Sequence, residues 1–177
     1  MKLHLLPVLA IAAAGPLGGL APAQAESASA ASSCAALEGA LPGLVSLQAQ
    51  YHDLAGTTGE VDVMAWQNDP MGLYRKGQDL SAALHETGGA LRDAEPDVTV
   101  PRLHAETARL ADMVDEGTGV IDGYLADPFS ALRPEANDQL TNLAQRGLTS
   151  FVRFQDAYQA SCGSLPTDGI PAHMPPG

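Results

Sequence analysis

An all-α protein is the fold class this sequence predicts: an up-down-up-down four-helix bundle closed by one disulfide between the start of helix one and the end of helix four. Three observations predict it. Apolar residues recur at helical spacing over four long stretches. Proline heads three of these stretches, and glycine follows the ends of the first and the last, at Gly56 and Gly163. The only two cysteines, Cys34 and Cys162, bracket the helical region. Val61 to Trp66 (VDVMAW) alternates briefly, but it has no second strand to pair with.

Residues 1–25 read as a secretory signal peptide. Lys2 supplies the positive start, Leu5 to Ala14 an apolar run, and Ala23-Gln24-Ala25 a small-x-small cleavage site. Export into an oxidising compartment follows, periplasmic or extracellular. The alanine-rich leader favours a bacterium. An even cysteine count behind such a leader reads as the pair Cys34–Cys162.

Residues 26–33 (ESASAASS) lack apolar periodicity and are expected as a flexible lead. The bundle domain is expected over 34–163. Helix one is expected over 34–55: Leu37, Leu44 and Tyr51 recur every seven residues, with Ala40, Leu47 and Leu54 between them. Pro42 predicts a kink or a short leading turn before the main helix. Residues 56–69 form a long connection carrying Met64 and Trp66, the only tryptophan. Asp69-Pro70 supplies an N-cap acceptor followed by proline at the first helical position. Helix two then runs from Pro70 to about Ala94, with Leu73, Gly77, Leu80, Leu84, Thr87 and Leu91 along one face.

Residues 95–100 turn the chain, and Pro101 opens helix three, which reaches about Ala126. Its buried face is Leu103, Thr107, Leu110, Val114, Gly117, Ile121 and Tyr124. Gly117, Gly119 and Gly123 weaken it, so a break near 117–119 is expected. Asp127-Pro128 repeats the cap signal. Helix four runs from about Pro134 to Cys162, burying Leu140, Ala144, Gly147, Phe151, Phe154, Tyr158 and Cys162, and Gly163 stops it. The tail, 164–177, is rich in proline and glycine and expected to be extended or disordered.

The staple checks the helix count. An even number of antiparallel helices returns the chain to its starting pole, where Cys34 and Cys162 meet. An odd number would part them by a helix length, about 30 Å for 20 residues. The 95–100 turn then shares the stapled pole. The 56–69 connection and the 127–133 segment share the opposite, open pole. That gathers Met64, Trp66, Met71 and Phe129 into one candidate interaction surface, with Trp66 expected to fold over the bundle end.

Charge excludes several partners. The chain carries 21 acidic and 9 basic residues, a formal net charge of −12. Loss of Lys2 with the leader takes it to −13. Such a surface repels nucleic acid and anionic lipid, so neither is expected as a partner after leader cleavage. A basic protein partner suits it.

No catalytic motif stands out. Gly-x-Ser-x-Gly, Gly-x-Gly-x-x-Gly, His-x-x-x-His and Glu-x-x-His are all missing. The haem-attachment pattern Cys-x-x-Cys-His is missing too. The disulfide removes both thiols. His85 and His104 flank the core faces of helices two and three but sit about 9 Å apart in depth. His52 faces outward, and His173 lies in the tail. Asp112, Asp115, Glu116 and Asp122 are expected on a solvated face of helix three. No cofactor, metal ligand or catalytic residue is therefore assigned. The expected function is non-enzymatic binding of a partner protein, in the manner of an inhibitor or immunity protein. The second class is a carrier of a metal ion or small apolar ligand at the open pole, and the third an enzyme without a legible site.

Overall fold

The structure, a computed structural model, describes residues 22–55, 69–130 and 133–165. Among these residues it is all-α, with five helices and no strand. We number them α1 (Pro22–Leu37), α2 (Leu41–Ala55), α3 (Pro70–Ala94), α4 (Pro101–Ala126) and α5 (Pro134–Cys162). The 3-10 turn Glu95–Asp97 joins α3 to α4.

The local chemistry that starts α3, α4 and α5 operates as expected. Asp69 Oδ1 accepts a hydrogen bond from the Gly72 amide at 2.8 Å, and Pro70 follows it in the first turn of α3. Pro101 and Pro134 open α4 and α5, where the amide they lack has no intrahelical acceptor. Gly163 ends α5 at φ 88°, a left-handed conformation that a side chain would disfavour. Asp127 closes α4, and its backbone carbonyl accepts bonds from the Ser130 amide and hydroxyl. The expected break near Gly117 is not formed: α4 is continuous through it.

The first helical region departs most from expectation. The chain turns at 38–40, where the Ala40 amide bonds the Leu37 carbonyl, and α1 and α2 meet at a bend of 53°. Pro42 lies in the first turn of α2, which tolerates it. Residues 26–33, expected as a flexible lead, are helical within α1. Ser33 is fully buried. Its Oγ accepts bonds from the Thr99 and Val100 amides and donates to the Ser29 carbonyl. Ser29 Oγ also bonds Thr99 Oγ1 at 2.6 Å. This stretch packs through hydroxyls spaced four apart, so apolar periodicity could not reveal it.

Cys34 and Cys162 are joined by a disulfide, with Cα atoms 5.6 Å apart. α3 packs antiparallel on α4, and α4 antiparallel on α5. α2 lies on α3, and α1 on the end of α5. Gly43 of α2 sits directly over Thr87 of α3. A methyl there would come within 2.5 Å of the Thr87 hydroxyl, so glycine permits this close approach.

The core is concentrated at the stapled end. Leu37, Ala40, Leu41, Leu44, Leu91, Ala94, Val98, Leu103, Phe154 and Tyr158 form one buried cluster there, continued by Leu110, Ala111 and Val114. Leu165, expected in the extended or disordered tail, joins it. Toward the other end Leu80, Leu84, Ile121, Leu125, Leu140 and Leu143 are only half-buried. Gly77 faces Leu125, whereas Gly117 faces Leu84 and Leu143. The two glycines therefore thin the interior at different depths. Among the described residues no single helix is long and apolar enough to cross a membrane.

Candidate functional site

Of the four residues expected at the open pole, two are described. Met71 lies in the first turn of α3 and is 65 % exposed; Phe129, just after α4, is 79 % exposed. Because α3 begins where α4 ends, both sit at the unstapled end of that hairpin. Tyr74, one turn along from Met71, is exposed too. Met64 and Trp66, and with them the expected plug, lie outside the described residues.

The acidic residues of α4 are not merely solvated. Arg92 of α3 donates to Asp112 at 2.6 Å, to Asp115 at 2.6 Å and to Glu95 at 3.2 Å. Asp112 and then Asp115 raise the pKa of its guanidinium above the ordinary value. Glu116 takes both terminal nitrogens of Arg146 on α5, which holds its carboxyl below the usual range. Asp122 accepts from the Ser81 hydroxyl at 2.5 Å and pairs with His85 Nε2 at 2.9 Å, both on α3. Ser81, first, and then His85 lower its pKa. All four carboxylates are thus interhelical ties from α4. The wheel position flanking a helix contact looks outward when the helix is considered alone.

Ser81, His85 and Asp122 hold the residue types of a nucleophile triad in the wrong order. The hydroxyl donates to the carboxylate, whose lowered pKa makes it a poor base, and the imidazole sits on the far side of Asp122. The arrangement clamps α3 to α4. His104 instead pairs its Nδ1 with the Glu95 carbonyl at 3.1 Å. Among the described residues no group of three or more His, Cys, Asp or Glu side chains is placed to hold a metal ion.

Two features of the surface were missed in the sequence, although the first was legible there as a spacing of seven. Asp79, Glu86 and Asp93 form a stripe on the outer face of α3, one residue every seven, about 10.5 Å apart. All three are exposed and form no ion pair among the described residues. Met71 lies on the same exposed side of the helix. Elsewhere, α4 and α5 border an open groove of about 530 Å³, and its lining includes Arg109, Arg146 and Arg153. No family model, curated protein or solved structure matches this chain.

Proposed function

We propose that the protein is an exported, non-enzymatic helical-bundle protein that binds a basic partner protein, as an inhibitor or immunity protein does. In this reading α1 and α2 serve together as one broken first helix of an up-down-up-down four-helix bundle. The observation that carries it is the division of labour among the acids. Those of α4 are held by Arg92, Arg146, Ser81 and His85. Those on the outer face of α3 are left without ion pairs among the described residues. Unpaired carboxylates at regular spacing complement lysines or arginines on one face of a partner helix, and they raise association rates at low salt. Exposed Met71 and Phe129 at the unstapled end would supply the apolar contact such an interface centres on.

The test is capture from an exported-protein fraction by immobilised wild type, with elution along a salt gradient. A variant carrying Asp79→Asn, Glu86→Gln and Asp93→Asn is expected to lose the captured partner. Phe129→Ser is expected to weaken it, and Glu116→Gln to leave it unchanged. Equal capture by the neutralised variant removes this reading. The half-buried leucines toward the unstapled end favour a second reading, a carrier of a small apolar ligand. Saturable uptake of a fluorescent apolar probe, abolished by Leu84→Gln, would favour it over the first.

A further inference from the structure

From the geometry of the α4–α5 groove we infer a binding site for a small oxyanion, a phosphate or a carboxylate, held between Arg109 and Arg153. The register is set by Glu116 and Arg146, which bond across the two antiparallel helices. Moving seven residues toward the start of α4 and seven toward the end of α5 brings Arg109 level with Arg153. Both line the groove, with Asp112, Met113, Thr149 and Ser150 in the adjoining turn. Glu106 already offsets the charge of Arg109, so Arg153 adds an uncompensated positive charge at this level of the groove, where an anion would be attracted.

The pairing of the other charges singles out one of these arginines. Arg109 is tied to Glu106, Arg146 to Glu116, and Asp112 leans away to Arg92 on α3. Arg153 has no carboxylate partner among the described residues, in a chain with 21 acids and only 9 bases. Its planar fork suits bidentate contact with an oxyanion. Ser150 stands beside it with a neutral hydroxyl, whereas the Thr149 hydroxyl donates to the Gln145 carbonyl; the amide of Gln145 lies further along the groove. The negative charge of the remaining surface disfavours a polyanion, so a single small anion fits where a nucleic acid does not. This site is distinct from the α3 stripe and does not rest on the reading above.

The experiment is a pair of titrations at low ionic strength, one with inorganic phosphate and one with succinate, followed by melting temperature and by calorimetry. Wild type is expected to show a saturable rise in melting temperature with at least one of the two, and whichever acts assigns the oxyanion. The rise should vanish in Arg153→Gln and shrink several-fold in Arg109→Gln. It should persist in Arg102→Gln, where an exposed arginine outside the groove is neutralised. Circular dichroism checks that each variant is folded. No saturable effect from either anion, or an equal effect in Arg153→Gln, overturns the site.

Discussion

Thr87 is buried, and its hydroxyl has no hydrogen-bond partner among the described residues. Burying a hydroxyl without a partner costs about 1–3 kcal/mol. Thr87→Val keeps the shape and is expected to raise stability by about 1 kcal/mol, read as the urea midpoint. Gly43→Ala should do the opposite, because its methyl meets that same side chain. Asp122 makes a pH-dependent contribution. Its pKa is lower in the folded state than in the unfolded chain. The stability it adds is therefore complete above the ordinary carboxylate pKa of about 3.9 and is lost as pH falls through the lowered folded value. The drop in urea midpoint between neutral pH and pH ~3 should be smaller in Asp122→Asn than in wild type.

At the scale of elements, glycine separates function in packing from plain cost. A methyl at Gly89, Gly119 or Gly123 meets nothing within 4 Å, and all three lie inside helices. Each change to alanine is expected to stabilise by about 0.5–1 kcal/mol, seen as a higher melting temperature. A loss instead would show that the exposed face of α3 or α4 carries a contact the isolated chain lacks. The helix ends were legible for the same local reason. Asp69-Pro70, Pro101, Pro134 and Gly163 act through their own backbone and nearest neighbours. The start of α1 was not legible, because Ser29 and Ser33 are anchored by Thr99 and Val100, about 70 positions away in the chain.

For the whole molecule, the uneven core predicts an uneven mutational response. Phe154→Ala at the stapled end should cost about 3–5 kcal/mol. Leu80→Ala or Leu140→Ala, toward the other end, should cost about half as much, since those side chains are half-buried. Comparable losses in denaturant melts would contradict the asymmetry. Reduction of Cys34–Cys162, which are 128 positions apart, should lower the melting temperature substantially. The chain-entropy figure for a loop this long is on the order of 4.7 kcal/mol, an upper value. An unchanged melt in reductant would deny the staple that role.

The sequence by itself determined the helical class, the boundaries of α3, α4 and α5, the cysteine pair and the acidic surface. Each depends on local backbone chemistry, on periodicity or on composition. Only the tertiary structure decided which acids are tied, that α1 packs through buried serine, and that arginines from α4 and α5 gather beside one groove. These follow from the register between helices. Register is set by packing of residues far apart in the chain, and no single helix encodes it.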